Sequence, residues 1–240
     1  MTRTRSGAGP GPDLDHVEAW VFDLDNTLYP ASSDLFGEID RRMGEFIAAA
    51  LEVDGAEARR IQKAYFRDYG TTLRGLMTNH GTNPVAFLEY VHEIDMSPLE
   101  PSPALAEVLS RLEGRKIVFT NGSAEHAGKV MDRLGIKEHF DGVFDITAAG
   151  YRCKPDPEAY RALIRDHGLA PRTTAILEDL PRNLAPASAL GMTTVWVRND
   201  TIWAEFDHGR GPVESFIDHV TDDLVGWLQG IVATRAEGRR

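Results

Sequence analysis

A chain of 240 residues, with 42% hydrophobic and 26% charged residues, has the composition of an ordinary globular protein of one or two domains. Its formal net charge of −11 argues against a general nucleic-acid binder, which would carry a basic stripe. No apolar run approaches the roughly 20 residues that cross a bilayer, and no apolar region follows the basic start, as a secretory signal would require. A single cysteine, Cys153, excludes an internal disulfide, and the sequence predicts a cytoplasmic protein.

The N-terminal part of the chain leads into a pair of carboxylates. Residues 1–14 are mostly Gly, Pro and polar residues and predict a mobile tail. The apolar run from Ala19 predicts a short buried strand that breaks off at Asp23 and Asp25. Side chains two positions apart on a strand share a face, and two such charges repel unless a cation separates them or they share a proton. The pair therefore predicts a site for a hard metal ion and a carboxylate nucleophile.

A block with helical spacing follows, over residues 31–100. Apolar residues such as Leu35, Ile39 and Met43 recur at intervals of three and four. The segment from Asn79 to Pro84 interrupts the pattern with turn-forming residues. This block is expected to form an all-helical unit.

From Pro103 onwards, short apolar runs alternate with helical patterns, which predicts a parallel sheet covered by helices on both faces. Ser123 and Asp156 are expected to cap two of the helices, and Asn183 a third. Four further strands are expected: Lys116–Thr120, Gly142–Thr147, Thr174–Glu178 and Thr193–Val197.

The sheet unit is expected to combine residues 15–30 with residues 101–230, leaving a second tail over residues 231–240. Three aromatic residues near the C-terminus, Trp203, Phe206 and Trp227, are expected to pack the last helix against the sheet.

Polar clusters follow several of these strands. In open α/β sheets, ligands bind beyond the carboxyl ends of the strands, so these clusters are expected to meet. Together they offer carboxylates, a hydroxyl beside a helix start and a cation, which are the groups that phosphoryl transfer needs. The clusters are Asp23 with Asp25, Thr120–Ser123, Lys154 beside Pro155, and Glu178 with Asp179.

These four segments, in this order, resemble the four motifs of the haloacid dehalogenase-like hydrolase superfamily. The resemblance covers residues 18 to 225 or so. It implies an α/β fold with a three-layer, doubly wound parallel sheet, and it implies that the helical block over residues 31–100 is an inserted cap.

The resemblance also implies a division of roles among the acids. Asp23 attacks phosphorus and becomes an aspartyl-phosphate. Asp25 protonates the leaving oxygen and then activates the water that hydrolyses the intermediate. Mg²⁺ is the implied cofactor, bound by Asp23, the Asp25 main-chain carbonyl and Asp179, with Glu178 acting through a water.

The remaining motif residues are implied to bind the phosphate. Thr120 and Asn121 hold phosphoryl oxygens beside the positive end of a helix. Lys154 lies between nucleophile and phosphate and neutralises the transferred charge. Thr27 and Asn183 resemble positioning residues.

The expected partner is a small phosphorylated metabolite, with no nucleic-acid polymer and no membrane, and the protein is expected to be a monomer or homodimer. The stretches Tyr69–Met77 and Phe87–His92 resemble the pyrimidine 5′-nucleotidase branch, which implies nucleoside 5′-monophosphates as substrates. Arg74 and His80 are candidate substrate contacts from the cap.

Alternative functions remain open at this stage. A sugar-phosphate phosphatase or a phosphomutase shares all four motifs, and a phosphate-sensing or partner-binding module would keep the fold without turnover. A dehalogenase is disfavoured, because true dehalogenases carry no acid at the position of Asp25.

Overall fold

The computed structural model describes residue 12 and residues 14–199 and 213–238. Within these residues, six strands form one parallel sheet in the order β3-β2-β1-β4-β5-β6. The strands are β1 (Ala19–Phe22), β2 (Arg115–Phe119), β3 (Gly142–Phe144), β4 (Thr174–Glu178), β5 (Thr193–Val197) and β6 (His219–Thr221).

Five helices cover the two faces of this sheet. On β1, Trp20 and Phe22 pack on one face, while Ala19 and Val21 pack on the other. Because alternate residues of a strand point to opposite faces, an apolar run buried on both sides is what a central strand requires. The first face is covered by α5 (Pro103–Arg111), α6 (Ala124–Leu134) and α9 (Leu224–Gly238), and the second by α7 (Pro157–His167) and α8 (Pro181–Ala189).

The strand register brings three polar loops to one edge of the sheet. Phe22 at the end of β1 pairs with Val118 of β2 on one side and with Leu177 of β4 on the other. From β1 the chain continues to β2 and β3 on one side of the sheet, and from β4 it continues to β5 and β6 on the other side. The carboxyl ends of β1 and β4 are therefore the topological switch point where such sheets bind ligands.

Four helices between β1 and α5 form the cap. They pack around an apolar cluster that includes Ile39, Ile47 and Leu76 of the cap and also Ile146 and Cys153 of the core. Their bounds are α1 (Leu35–Leu51), α2 (Gly55–Tyr69), α3 (Thr72–His80) and α4 (Pro84–His92). The expected all-helical cap is confirmed.

The cap contacts the core at the turn between α2 and α3. The Cys153 thiol lies 3.6 Å from the Tyr69 carbonyl oxygen. Gly70 has a φ of +87°, and a Cβ there would lie 3.2 Å from the Cys153 sulfur. The positive φ favours glycine at this contact, and a Cβ there would also crowd the Cys153 sulfur by a few tenths of an ångström.

Several predicted boundaries hold and others are wrong. The predicted strands over β4 and β5 match the structure residue for residue, and the side chains of Ser123 and Asp156 cap α6 and α7 as expected. The third expected strand is shorter and ends at Phe144, because the Asp145 carboxylate accepts backbone N–H bonds from Ala124 and Ala148 and turns the chain.

The structure differs from both predicted tails. The C-terminal tail over residues 231–240 is wrong as far as residue 238, because α9 continues to Gly238 and buries Ile231 in the core. At the other end Leu14, placed in the N-terminal tail, is buried, while residues 1–11 and 13 lie outside the described part. The predicted packing of Trp203 and Phe206 also lies outside it. None of the described helices has the length and apolarity to span a membrane.

Candidate active site

Asp23 lies at the end of β1, at the centre of the sheet edge. Its backbone N–H donates to the Leu177 carbonyl, which extends the sheet by one residue and fixes the main chain. Oδ1 accepts a hydrogen bond from Lys154 Nζ at 2.6 Å, and Oδ2 accepts one from Thr27 Oγ1 at 2.9 Å. Both oxygens are therefore held in place by hydrogen bonds.

Lys154 is a buried cation among acids, with 2% of the residue exposed. Its Nζ also donates to Glu178 Oε2 at 2.7 Å and to the Phe119 carbonyl at 2.9 Å, which uses all three ammonium protons. Burial acts to lower the pKa of Lys154, but the negative charges of Asp23 and Glu178 prevail and raise it. The lysine therefore stays charged and binds β1, β2 and β4 into one site.

Three carboxylates, from Asp23, Glu178 and Asp179, place oxygen atoms within 4.8 Å of one another. Burial and the charge of Glu178 raise the pKa of Asp23 to about 7, against the opposing effect of Lys154. Burial and the charges of Asp23 and Glu178 also hold the pKa of Asp179 well above its usual value. One lysine cannot neutralise three buried acids, and oxygen ligands in this number suit a divalent cation such as Mg²⁺.

The loop after β4 is fixed by amides. Asn183 Nδ2 donates to Glu178 Oε1 at 2.8 Å, and Asn199 Nδ2 donates to Asp179 Oδ2 at 3.2 Å. The prediction that Asn183 caps a helix is wrong, because α8 begins two residues earlier at Pro181, and Leu180, with no side-chain bond, is its N-cap. The Asn183 side chain instead orients Glu178.

Asp25 is held by two groups that belong to neither its strand nor the acid cluster. Tyr29 donates its hydroxyl to Asp25 Oδ1 at 2.6 Å, and His126 Nε2 lies 3.0 Å from the same oxygen. Burial acts to raise the pKa of Asp25, but the charge and hydrogen bond of His126 and the hydrogen bond of Tyr29 outweigh it and lower the pKa. Asp25 therefore points to a different set of partners from Asp23.

His126 is stacked on a histidine from the cap. The rings of His92 and His126 lie 4.3 Å apart at an interplanar angle of 10°. His92 Nδ1 lies 3.0 Å from Ser123 Oγ, the hydroxyl that caps α6. Burial and the neighbouring His126 lower the pKa of His92 to about 3, so that this ring is neutral. The stack connects the end of α4 in the cap to the start of α6 in the core.

The loop after β2 lies between the acid cluster and this stack. The Thr120 hydroxyl accepts the Gly122 N–H at 2.9 Å. Asn121 Oδ1 accepts the Lys154 N–H at 2.8 Å, and Asn121 Nδ2 donates to the Lys154 carbonyl at 3.4 Å. The Asn121 side chain thus joins two loops, and its backbone N–H remains the group expected to reach a phosphoryl oxygen.

A cavity of about 120 Å³ connects these loops with the cap. One end is formed by the predicted motif residues Asp23, Asp25, Thr120, Asn121, Lys154, Glu178, Asp179 and Asn183. The other end is formed by apolar side chains of α1, α2 and α4 together with Thr71, Thr72 and Leu73. A larger pocket of about 1040 Å³ adjoins this site, between the start of α1 and the C-terminal region. It shares Asn26 with the cavity and is lined by Thr27, Tyr29 and Asn199, but none of the three clustered acids lines it.

The two predicted cap contacts lie away from this cavity. Arg74 Nη1 donates to Asp156 Oδ2 at 3.1 Å, which ties the cap to the start of α7. His80 is exposed at the end of α3, where its Nε2 lies 2.7 Å from the Tyr65 hydroxyl. Neither side chain lines the cavity, and direct substrate contact by either residue stays a prediction.

The sequence-family model of the haloacid dehalogenase-like hydrolases matches residues 17–191 of this chain, well over half of its length. The chain belongs to this hydrolase family. The match includes all four predicted motifs and the whole cap, so the resemblance seen in the sequence is confirmed.

Relatives within the family include proteins with phosphate-related names. Phosphate metabolism protein 8 of Saccharomyces cerevisiae is 32% identical over 203 residues, which is 75% of this chain and 62% of the yeast protein. A glyceraldehyde 3-phosphate phosphatase of Methanocaldococcus jannaschii is 29% identical over 195 residues, 75% of this chain and 84% of the archaeal protein.

Solved structures agree with the fold. A HAD phosphatase from Thermococcus onnurineus superposes with a TM-score of 0.59 at 17% identity, over 91% of this chain and 99% of that one. At this level of identity the likeness concerns the architecture, a Rossmann-like sheet with a helical insertion.

Three residues that contact Asp25 or the stack beside it are not indicated by the sequence, namely Tyr29, His92 and His126. Their types occur throughout ordinary cores and surfaces, so composition alone does not distinguish them. His126 carried one usable signal: it lies three residues after a helix-capping Ser that follows a strand of the predicted site. His92 and Tyr29 carried none, because the cap and the loop after β1 reach the site only through the tertiary fold.

Proposed function

We propose that this hydrolase is a Mg²⁺-dependent phosphomonoesterase that works through an aspartyl-phosphate at Asp23. The observation that carries the proposal is the buried arrangement in which Lys154 donates to both Asp23 and Glu178 while Asp179 completes the acid cluster. A nucleophile, a cation and a metal-binding acid pair in one buried site are what transfer of a phosphoryl group requires.

The family resemblance implies the metal ligands, and the clustered acids are placed to supply them. Asp23 and Asp179 would bind Mg²⁺ directly, together with the main-chain carbonyl of Asp25, and Glu178 would act through a water. Lys154 and Asn183 orient the Glu178 carboxylate. When bound, the ion offsets the negative charge of acids and phosphate and polarises the phosphoryl group.

The chain's own residues then carry two steps. In the first, an Asp23 carboxylate oxygen bonds to phosphorus, the ester bond breaks, and Asp25 gives its proton to the leaving alcohol oxygen. In the second, Asp25 takes a proton from a water that attacks the same phosphorus, which frees Asp23 and releases phosphate. Thr120, the Asn121 N–H and Lys154 bind the transferred oxygens throughout.

Asp25 must change protonation state between these steps. Its lowered pKa suits the base of the second step. An anionic phosphate ester arriving beside it raises the pKa of a carboxyl group, which loads the proton needed in the first. Tyr29 and His126 both bind Oδ1, so Oδ2 is the oxygen that faces the alcohol.

For the alcohol, we propose a pyrimidine nucleoside as the first candidate. The aromatic rings of Phe66 and Phe87 line the cavity opposite the acids, where a base could stack. A sugar phosphate is the second candidate, favoured by the name of the archaeal relative.

The test is phosphate release from a panel of esters with Mg²⁺ and, separately, with a chelator. We expect hydrolysis that needs the metal, with UMP and CMP ahead of glyceraldehyde 3-phosphate and glucose 6-phosphate if the first candidate is right. Hydrolysis of none of these esters by a folded, Mg²⁺-loaded preparation would favour the phosphate-sensing module instead.

A further inference from the structure

The cap end of the active-site cavity is apolar. The described cap side chains that line it and belong to helices α1, α2 and α4 are hydrocarbon, aromatic or thioether groups apart from one neutral histidine. They are Phe36, Ile39, Met43, Phe66, Phe87, Leu88, Val91 and His92. Such a surface stabilises an apolar partner in proportion to the area that it covers.

The few polar groups of this lining already make hydrogen bonds within the protein. Thr71 Oγ1 accepts the Arg74 N–H at 3.2 Å, and Thr72 Oγ1 lies 3.4 Å from the Gln62 carbonyl. His92 Nδ1 is used by Ser123. A substrate hydroxyl placed here would lose its water and gain few partners, which is the costly arrangement for a buried polar group.

The lining also offers no second positive charge. Among the described residues that line the cavity, Lys154 is the only Lys or Arg, and it already donates to two carboxylates and a carbonyl. Arg182 contacts the Phe66 ring, with its guanidinium carbon 4.0 Å from the ring centroid, and donates to the Gly70 carbonyl, but it does not line the cavity. A second phosphate at the cap end would therefore be a desolvated anion without a counter-charge in the lining.

We propose that the cap end selects monoesters with a single phosphate whose alcohol presents a ring or hydrocarbon to Phe66, Phe87 and Val91, and that it rejects bisphosphates and polyhydroxylated sugars. The inference rests on the proposed function for the position of the phosphate at the acid end. It counts against the sugar-phosphate and phosphomutase alternatives, since a mutase of this kind must hold a bisphosphate. It admits a nucleoside only where the face of the base, rather than its polar edge or the ribose hydroxyls, meets the apolar lining.

The experiment measures binding, so that it does not depend on turnover. With the Asp23→Asn variant and Mg²⁺, calorimetry would compare cyclohexylmethyl phosphate with glucose 6-phosphate, which share a six-membered ring on the same CH₂–O–phosphate and differ in hydroxyls and ring oxygen. A second pair, butyl phosphate and 1,4-butanediol bisphosphate, isolates the second charge.

We expect the apolar ester to bind at least about tenfold more tightly in each pair. Equal or tighter binding of glucose 6-phosphate, or of the bisphosphate, would overturn the inference. If these preferences appear but the wild-type chain hydrolyses no ester, the proposed function fails and the inference about the cap stands.

A matched pair of variants locates the effect. Val91→Thr keeps the volume and adds a hydroxyl inside the cavity, while Val85→Thr makes the same change at a half-exposed position of the same helix. The first should weaken cyclohexylmethyl phosphate binding about five- to tenfold and leave glucose 6-phosphate unchanged or tighter. The second should change neither. Equal responses of the two variants, after melting curves confirm that both are folded, would place the selectivity elsewhere.

Discussion

The two ends of the active-site cavity are built on different principles. At the core end each acid is fixed by specific donors: Lys154 and Thr27 on Asp23, Asn183 on Glu178, and Asn199 on Asp179. At the cap end the lining is apolar and offers shape and hydrophobic area with few directional bonds. Chemistry demands atoms placed to within fractions of an ångström, whereas discrimination between alcohols can rest on which groups are left without partners.

The largest expected effect lies at the core end, at Asp23. Asp23→Asn keeps the size of the side chain and one of its two acceptor oxygens but cannot form an acyl phosphate, so turnover should fall by at least about 10⁴-fold with the fold intact. Steady-state phosphate release and a melting curve measure the two parts. Activity within tenfold of the wild-type rate would show that another group attacks phosphorus.

The next effect concerns His126, which orients Asp25 from outside the acid cluster. His126→Phe removes the group at 3.0 Å from Asp25 Oδ1 and should lower kcat on an alkyl phosphate about 10- to 100-fold, because a poor leaving group depends on general acid. On 4-nitrophenyl phosphate the first step should survive, giving a burst of nitrophenol followed by slow turnover.

His126→Gln is the matched control, since its amide can donate to the same carboxylate oxygen. It should restore a substantial part of the alkyl phosphate activity. A purely structural role would lower both steps equally and would not be rescued by Gln, and that outcome would remove His126 from the account.

A smaller effect, on stability, tests the crowding of the acids. Burial and neighbouring charge raise the pKa of Asp23 from 3.8 to about 7, so the metal-free native state binds more protons than the unfolded chain between these values. Stability should therefore fall as the pH rises from about 4 to 7. Mg²⁺ should reverse the loss at pH 8 by binding the native state.

Asp179→Asn sharpens this test. Removing one charge from the cluster should raise the metal-free melting temperature at pH 8 by about 2–8 °C, corresponding to ~1–2 kcal/mol, and should abolish the stabilisation by Mg²⁺. Thermal scans across pH, with Mg²⁺ and with chelator, measure both. A wild-type melting temperature that is flat from pH 4 to 7 and indifferent to Mg²⁺ would contradict the acid-cluster interpretation.

The smallest effect is expected at Arg74. Its bond to Asp156 is partly exposed, with 39% of the Arg74 side chain accessible, and such pairs contribute less than about 1 kcal/mol. Arg74→Ala should change kcat/KM less than about twofold on every ester, because the side chain does not line the cavity. A rise of more than tenfold in KM, with kcat unchanged, would instead show that Arg74 contacts the substrate, as the sequence predicts.

The difference between the two ends also explains what the sequence could predict. The core-end acids follow apolar strands, and the rule that parallel strands end at one edge brings Asp23, Thr120 and Glu178 together without any knowledge of packing. The sequence predicts both ends of β4 and β5 correctly, because buried parallel strands are continuous apolar runs.

The cap end offered no such rule. Helical spacing identifies a helix and its apolar face, but the direction of each helix depends on how α1 to α4 pack. The spacing therefore does not show that His92 lines the cavity and that Arg74 and His80 do not. Asn183 is a similar case. Asparagine is a favoured N-cap residue, and only the structure shows that the Asn183 side-chain amide donates to the Glu178 carboxylate instead. The polar residues after residue 230 predict a tail, but the structure continues α9 through them. There the Arg235 guanidinium donates to the Leu14 and Val17 carbonyls and so joins α9 to the segment before β1.

The most direct test of the account is chemical trapping of the phosphorylated enzyme. Borohydride reduces an acyl phosphate to an alcohol, so quenching a Mg²⁺-supported reaction into borohydride should convert Asp23 to homoserine, detected by peptide mass spectrometry. The account predicts this change at Asp23, dependent on ester and Mg²⁺, with Asp25 and Asp179 unmodified. Reduction at another aspartate, or continued turnover with no residue trapped, would contradict it.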